Sequence, residues 1–456
     1  MSLKLLTGPA GPRRLRDPLQ GHAKLAVRWG IDHGLTRLVM RRAARRGDLQ
    51  GRLIELSPGA HTFELQPLFD ELRARGPVHR GGFSYIALSH EHVRGVLTSN
   101  DFRTGVLPRR GALGRLGDWA ATEVFNPVAP PSLLVTEPPD HTRYRKLVTR
   151  VFSVRAVERL RARAERLAAE LLDDLDDVDA RRRDGAEPID LVERYCGLLP
   201  VTMISEILGI PVELREWMLE RGAGAAASLD MGLGWRRFRE VEKSLAAFDS
   251  WLSEHLDRLR THPGDDLLSQ LVAAREDGRG LTDQELRATA GLVFAAGFET
   301  TVNLLGNGIA LLTDHPDQLA LLRERPELWS NAVDEILRLD PPVLLTGRIA
   351  ERDTELGGVR ISRGAIVTAL LAAANRDPEV FPDPAAFDVT RGNARDHVSF
   401  SAGRHYCLGA SLARMEGEVG LRAFFERYAD VRLLPGRIRR PTRILRGYER
   451  LPAALA

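Results

Sequence analysis

Cys407 is the residue with the clearest chemical potential, and it lies in the stretch Phe400-Ser401-Ala402-Gly403-Arg404-His405-Tyr406-Cys407-Leu408-Gly409. A thiolate that ligates iron must stay deprotonated, near backbone amides and free of crowding side chains. Gly403 and Gly409 permit a close backbone approach that a Cβ would obstruct. The run from Ala410 to Tyr428 predicts a helix whose N-terminus would stabilise the anion. A cysteine taken alone is more often a buried structural thiol, so these neighbours carry the prediction of a metal-ligating thiolate loop.

The neighbours resemble the haem-binding signature of cytochrome P450 enzymes, Phe-x-x-Gly-x-His-x-Cys-x-Gly. The matching positions are Phe400, Gly403, His405, Cys407 and Gly409, and Ser401 stands where the family usually has glycine. The resemblance implies haem b, which is iron protoporphyrin IX, as the cofactor. It also implies that Cys407 is the ligand of the iron.

About 100 residues earlier, the chain reads Ala295-Ala296-Gly297-Phe298-Glu299-Thr300-Thr301 within a helical pattern. Small residues flatten a helix surface for a planar cofactor, and an acid followed by an alcohol can pass protons. The run resembles the P450 oxygen-activation motif. That resemblance implies a haem-facing position for Ala296 and Gly297, and catalytic roles for Glu299 and Thr300.

The run Glu335-Ile336-Leu337-Arg338 puts two opposite charges on one face of a predicted helix. Such a pair, if exposed, would contribute at most about 1 kcal/mol. The run resembles the Glu-x-x-Arg element of the buried P450 triad, which Arg391 of Phe387-Asp388-Val389-Thr390-Arg391 completes. Buried charges persist when they are paired and hydrogen-bonded. We expect Glu335, Arg338 and Arg391 to serve folding and pocket formation.

Haem carries two propionates, which need cationic or hydrogen-bonding partners. After Pro138 and Pro139, His141 and Arg145 fall one turn apart on one helix face. This segment resembles the one in bacterial P450s that holds a propionate. By the same resemblance, Arg348 and His405 are the other two propionate contacts.

Composition narrows the class of protein. Two cysteines, Cys196 and Cys407, cannot form a disulfide framework or a four-cysteine metal site, so we expect a reducing, cytoplasmic location. A net charge of +3 with 28% charged residues does not indicate a nucleic-acid-binding protein. No apolar stretch approaches the roughly 20 residues that span a bilayer. A length of 456 residues suits one P450 unit without a fused electron carrier, so a separate ferredoxin and ferredoxin reductase are expected.

Residues 1–60 form a basic N-terminal extension, and residues 61–456 are expected to form the cytochrome P450 domain. Up to Arg52 there are 12 Lys and Arg residues against Asp17, Asp32 and Asp48. Charged residues between Leu25 and Met40 interrupt the apolar core that a signal peptide needs. The extension is expected to pack on the domain or stay mobile. Peripheral contact with an acidic membrane is the less favoured alternative.

The remaining pattern predicts a mainly α fold with a small β-rich part, as in the cytochrome P450 fold. Strands are expected near Pro77 to Leu88 and Arg348 to Val367, where β-branched residues and turn signals occur. Apolar residues at three- and four-residue spacing predict long helices: Val154 to Leu175, Leu198 to Leu208, Trp235 to Thr261 and Asp283 to Thr313.

These features together predict a haem-thiolate monooxygenase that inserts one atom of O2 into a lipophilic small molecule, such as a polyketide, terpenoid, steroid or fatty acid. A peroxygenase driven by H2O2, and a non-catalytic haem-binding sensor, are the alternatives. The expected substrate-lining positions are mainly apolar: 105–129, 228–234, Ala295, Ala296, Leu344, Leu345 and Tyr448.

Overall fold

The computed structural model describes residues 18–105, 111–149, 152–181, 188–275 and 278–455. Within these ranges the α-helices are α1 (Pro18–Trp29), α2 (Leu35–Arg45), α3 (Leu49–Leu56), α4 (Gln66–Arg73), α5 (His90–Thr98), α6 (Gly111–Ala120), α7 (Asp140–Thr149), α8 (Val154–Ala180), α9 (Leu198–Ile207), α10 (Arg215–Ala226), α11 (Trp235–Thr261), α12 (Leu267–Ala273), α13 (Asp283–Asp314), α14 (Pro316–Glu324), α15 (Trp329–Leu339), α16 (Leu371–Ala374) and α17 (Ala410–Arg427).

The strands are short and form small sheets. They are β1 (Val78–Arg80), β2 (Tyr85–Ala87), β3 (Phe102–Arg103), β4 (Ile189–Asp190), β5 (Thr346–Ala350), β6 (Thr354–Leu356), β7 (Val359–Ile361), β8 (Ile366–Ala369), β9 (Arg432–Leu433), β10 (Ile438–Arg439), β11 (Tyr448–Arg450) and β12 (Pro452–Ala454). The largest sheet has the order β1-β2-β8-β5-β3, in which only β2 and β8 run parallel. The predicted fold class, mainly α with a small β-rich part, is confirmed.

Helix α13 is the central element of the helical core. Its start is fixed by a capping box in which the Thr282 hydroxyl accepts from the Glu285 amide and the Glu285 side chain accepts from the Thr282 amide. Helices α9, α10, α15 and α17 pack around it. Nearly every residue from 288 to 310 is buried, so α13 is enclosed on almost all sides.

This burial also explains why α13 satisfies the length and composition of a membrane span. It is the one helix in the described ranges that does so, and 78% of its apolar window is buried inside the protein. No such stretch was expected from the sequence, because polar residues such as Glu299, Asn303 and Asn307 interrupt the apolar run of α13. The helix is a core helix by its packing.

The described part of the basic extension is helical and packs on the rest of the chain. A π-helical turn, Gly30–Gly34, joins α1 to α2. The Trp29 indole donates to the Leu233 carbonyl at 2.9 Å, and Arg37 donates to the Gly232 carbonyl at 2.9 Å. These bonds attach the extension to the turn that precedes α11.

Candidate active site

The Cys407 loop is held in place by its own backbone. The Cys407 amide donates to the Phe400 carbonyl at 2.9 Å, which closes the loop, and α17 begins three residues after the sulfur. The Cys407 side chain is accessible although protein surrounds it. An accessible thiol in an enclosed position can reach a bound group, as a cofactor ligand must.

The electrostatics at the sulfur combine opposing effects. Burial raises the pKa of the Cys407 thiol, and this is the largest effect, while the Gly409 N–H and the charges of Arg145 and Arg414 act to lower that pKa. The balance is that of the protein without a metal ion. A bound cation adds the largest local charge and deprotonates a coordinating thiol.

Two residues of the loop have left-handed backbone conformations. Gly403 has φ +67°, and a Cβ there would meet the Leu97 carbonyl oxygen at 2.6 Å, so only glycine fits. Ser401 has φ +62°. A residue with a Cβ is strained in this conformation, which explains why the family pattern usually has glycine at this position. Gly409 differs from expectation, because its φ is −87° and a Cβ would meet nothing within 4 Å.

Four residues in the middle of α13 form the half-exposed stripe: Leu292, Ala296, Gly297 and Thr300. Every other residue between 288 and 310 is buried. The spacing of the four keeps them on one side of the helix. The stripe is therefore the least buried part of the middle of α13, and its residues are small or apolar except for the Thr300 hydroxyl.

The Thr300 hydroxyl donates to the Ala296 carbonyl at 2.9 Å, and the Thr301 hydroxyl donates to the Gly297 carbonyl at 3.2 Å. Such bonds to the preceding turn are common for threonine in helices. Thr301 is buried, whereas Thr300 belongs to the half-exposed stripe. The two neighbouring alcohols thus differ in their access to the open space.

Glu299 is 2% exposed and lies 3.1 Å from Arg440 Nε through its Oε1 atom. Its Oε2 atom has no hydrogen-bond partner among the described residues. Burial raises the pKa of Glu299, and the charge of Arg440 opposes the shift. Arg440, near the end of the chain, was not identified from the sequence, because no local pattern links it to α13.

His141 and His405 are brought together, with ring centroids 4.4 Å apart. His141 Nε2 is buried and has no partner among the described residues. Burial, followed by the charge of His405, lowers the pKa of His141 to about 4. His405 Nε2 instead lies 3.2 Å from Glu137. The pair is therefore asymmetric, because one imidazole is satisfied and the other lacks a partner.

Glu137, which directly precedes Pro138, binds several residues beside the Cys407 loop and was not predicted from the sequence. Its carboxylate accepts from the Thr104 amide at 2.6 Å and from Arg404 at 2.9 Å. Burial opposes ionisation, but the bonds from His405 and Thr104 prevail and lower the pKa of Glu137 to about 2. This carboxylate neutralises part of the positive charge beside the loop.

Arg348 and Arg145 are buried or half-buried cations without a carboxylate partner. Arg348 donates to Thr346 Oγ1, to the Gly347 carbonyl and, at 3.5 Å, to Ser401 Oγ. Burial lowers the pKa of Arg348 to about 10. Within the part of the chain that the structure describes, the Arg145 guanidinium makes no hydrogen bond or ion pair, and burial lowers its pKa while Cys407 opposes the shift.

A cavity of about 1150 Å³ borders this group. His141, Arg145, Lys146, Arg275, Gly403 and Arg404 are among its lining residues, and none of its described lining residues is acidic. Unpaired buried donors beside a basic cavity fit an anionic ligand. The Cys407 thiol and the half-exposed stripe are not among the lining residues of this cavity, so the cavity itself fits only the anionic part of a cofactor that the thiol would ligate.

The predicted triad meets in the structure. Arg338 donates to both oxygens of Glu335, at 2.7 and 2.8 Å, and Arg391 donates to Glu335 Oε1 at 3.1 Å. Glu335 and Arg338 are fully buried. Arg338 also donates to three carbonyls, so the geometry satisfies the planar fork that a buried arginine requires.

Several expected substrate contacts do not reach open space. Ala295, Leu344, Leu345 and Tyr448 are all buried against other side chains, whereas Ala296 belongs to the half-exposed stripe. Residues 106–110 of the expected loop lie outside the described residues. Position in the sequence indicates which segments lie near the site. It does not indicate which side chains of a segment are buried against the rest of the protein.

Comparison with known proteins agrees with this geometry. The family profile described as Cytochrome P450 matches residues 227–327 and 323–442. Cytochrome P450 140 of Mycobacterium tuberculosis is 50% identical over 436 residues, which are 94% of this chain and 97% of that protein. The 6-deoxyerythronolide B hydroxylase of Saccharopolyspora erythraea is 41% identical over 324 residues, 70% of this chain and 77% of that protein.

Among solved structures, the Bacillus subtilis 168 bacillaene polyketide synthase cytochrome P450 PksS is similar with a TM-score of 0.75 and 31% identity, covering 87% of this chain and 97% of that one. The chain therefore belongs to the cytochrome P450 family. It is a monooxygenase, an oxidoreductase whose cofactor is haem, iron protoporphyrin IX, held through a cysteine thiolate.

Proposed function

We propose that this P450 inserts one atom of O2 into a lipophilic, polyketide-like molecule, with Cys407 as the iron ligand. The observation that carries the proposal is the enclosed but accessible thiol of Cys407, placed at the start of α17 in a loop closed by its own amide. The only other cysteine, Cys196, is buried in the helical core. When bound, the haem supplies oxygen activation, and the thiolate favours O–O cleavage.

The surrounding cations are proposed to hold the haem propionates. On α7, His141 offers a ring nitrogen without a partner among the described residues, and Arg145 offers a guanidinium without an acceptor there; Arg348 on β5 offers a buried cation without a carboxylate partner. His405 joins them across its ring contact with His141. Glu137 keeps His405 and Arg404 oriented, because it binds both side chains. Phe400, Gly403 and Gly409 are proposed to shape the loop, and Ala296 and Gly297 to form the opposite wall.

Proton delivery is proposed for Glu299 and Thr300. Thr300 is the polar member of the half-exposed stripe, and we assign its hydroxyl, which donates to the Ala296 carbonyl in this structure, the role of turning to donate into the cofactor pocket. Burial raises the pKa of Glu299, and its Oε2 atom has no partner among the described residues, so we assign this carboxyl group the role of holding and passing a proton. The acid therefore lies behind the alcohol and is tied to Arg440.

The electron source is proposed to be a separate ferredoxin with its reductase, in the cytoplasm. No cluster of potential metal ligands occurs among the described residues that could hold an internal electron carrier. The substrate class rests on the apolar half-exposed stripe and on the relatives named for 6-deoxyerythronolide B and for a polyketide synthase.

The decisive experiment combines a spectrum with turnover. The reduced carbon monoxide complex should show the thiolate-dependent P450 band, Cys407→Ser should lose it, and Cys196→Ser should retain it. A polyketide lactone supplied with NAD(P)H, ferredoxin, reductase and O2 should yield a product heavier by one oxygen atom, labelled from 18O2. A normal band in Cys407→Ser, or label derived from water, contradicts the proposal.

A peroxide-driven reaction is the alternative, and the neighbouring acid and alcohol, Glu299 and Thr300, argue against it. Product formed faster with H2O2 alone than with the ferredoxin system would favour it. The monooxygenase proposal predicts the opposite order of rates.

A further inference from the structure

The basic extension presents an apolar ridge to the outside of the molecule. Leu35, Leu38 and Val39 on α2 are 49%, 64% and 41% exposed. Their spacing of three and four residues places them on one face of the helix. Single exposed apolar residues are ordinary, but three adjacent ones form a continuous surface. We call these three residues the outer ridge.

Exposed arginines adjoin the outer ridge. Arg41, Arg42, Arg45 and Arg46 are exposed, and none forms an ion pair within the described part of the chain. Elsewhere, exposed arginines such as Arg422 and Arg427 pair with nearby acids. The four free guanidinium groups therefore give this surface a local positive charge that no acidic side chain neutralises.

The opposite face of the same helical segment is firmly docked. Arg37 donates to the Gly232 carbonyl, and His33 Nδ1 accepts from the Leu233 amide at 3.3 Å. Met40 is buried, and a Cβ at Gly232 would meet it at 2.6 Å. Because these contacts fix the rotation of α2, the outer ridge points away from the protein in the folded state.

We propose that the outer ridge and its four arginines bind the surface of an anionic lipid membrane. A helix with an apolar face and flanking arginines lies in the interface, with its leucines among the acyl chains and its guanidinium groups on lipid phosphates. Contact there places the turn 231–234, which packs on the opposite face of α2, one helix diameter, about 10 Å, from the bilayer surface. This last step rests on the proposed function, because it lets a lipophilic substrate pass from the membrane to the enzyme.

The test is co-sedimentation of the full-length holoenzyme with vesicles of phosphatidylcholine alone or mixed equally with phosphatidylglycerol. The parent should bind the mixed vesicles on the order of 100-fold more tightly, and high salt should abolish the difference. L35Q/L38Q/V39Q should weaken binding on the order of tenfold. The matched control V154Q/V212Q, which changes exposed valines at 73% and 57% exposure on other elements, should bind like the parent.

A second pair of variants isolates the charge. R41Q/R42Q/R45Q should reduce binding to mixed vesicles on the order of 100-fold. The control R94Q/R395Q/R432Q removes the same number of exposed arginines that form no ion pair within the described part of the chain, and it should bind like the parent. Unchanged haem spectra and circular dichroism show that each variant is folded.

Equal binding to both vesicle types, no binding by the parent, or an unchanged ridge variant would overturn the inference. A dimer in sedimentation velocity that the ridge variant abolishes would overturn it in favour of a second copy of this chain. Vesicle binding needs neither electrons nor substrate. A protein that forms product but does not bind vesicles therefore loses only this inference, and the proposed function stands.

Discussion

Removing the charge of Glu335 should destabilise this protein far more than removing the same charge at the surface. Glu335→Gln keeps the shape of the side chain but leaves two guanidinium groups, those of Arg338 and Arg391, without a counter-charge. Glu335 and Arg338 are 0% exposed, and Arg391 is 8% exposed. Breaking a buried pair by removal of one partner costs about 3–5 kcal/mol, because the remaining charge stays buried.

The expected shift in melting temperature follows from chain length. At about 2 cal/mol/K per residue, 456 residues give an unfolding entropy near 1 kcal/mol/K, so Glu335→Gln should lower Tm by about 3–5 °C. The matched control is Glu426→Gln, since Arg422 binds Glu426 at 2.7 Å but both side chains are about half exposed. Such a pair contributes about 0.5 kcal/mol, so its removal should shift Tm by about 0.5 °C.

The assay is thermal loss of the haem Soret band at one heating rate, with haem content per protein measured beforehand. Glu335→Asp keeps the charge but shortens the reach to the two guanidinium groups, so its Tm should fall between those of the parent and Glu335→Gln. Equal shifts in Glu335→Gln and Glu426→Gln would refute the argument that burial makes the triad's charge balance essential.

Three further predictions concern single positions. Thr300→Ala should still oxidise NAD(P)H but release hydrogen peroxide at the expense of product. Thr301→Ala, which changes the buried neighbour, should still convert the electrons of NAD(P)H into product. The measurement is the amount of product and of peroxide formed per NAD(P)H consumed. Gly403→Ala should lose most of its haem, measured by absorbance ratio, because the added Cβ meets the Leu97 carbonyl at 2.6 Å in a left-handed conformation; retention of full haem content would contradict the reasoning. Burial, followed by the charge of Arg37, lowers the pKa of His33 from 6.5 to about 4. The stabilising contribution of neutral His33 is therefore complete above pH 6.5 and is lost as the pH falls towards 4. The slope of Tm against pH between 4 and 6.5 should be smaller in His33→Asn.

The elements were predictable where local rules decide them. The capping pair Thr282 and Glu285 fixed the start of α13, and the apolar period of Trp235 to Thr261 gave α11 its full bounds. The family resemblance located the triad, whose members the structure brings together. In each case the necessary information lies within one stretch of sequence or in a motif of fixed spacing.

The parts that could not be predicted depend on contacts between distant segments. Arg440 reaches Glu299 from 141 positions away, and nothing in either local sequence specifies that pair. Leu344 and Leu345 look like substrate contacts by position, yet both are packed inside a core cluster with Phe69. Local sequence determines which residues share a helix face, but tertiary packing determines what that face meets.

The two glycines of the Cys407 loop also show that tertiary contacts decide what local sequence does not. Gly403 and Gly409 are equivalent in the sequence motif, yet only Gly403 has a positive φ and a backbone carbonyl where a Cβ would lie. Ser401 adopts the left-handed conformation without being glycine, at a cost of roughly 1–2 kcal/mol, and its hydroxyl accepts from Arg348 at 3.5 Å. The strained residue is therefore the one whose hydroxyl connects the Cys407 loop to Arg348 on β5. This connection holds Arg348 beside the loop, so the departure from the family glycine adds a polar contact to the cation that we propose binds a haem propionate.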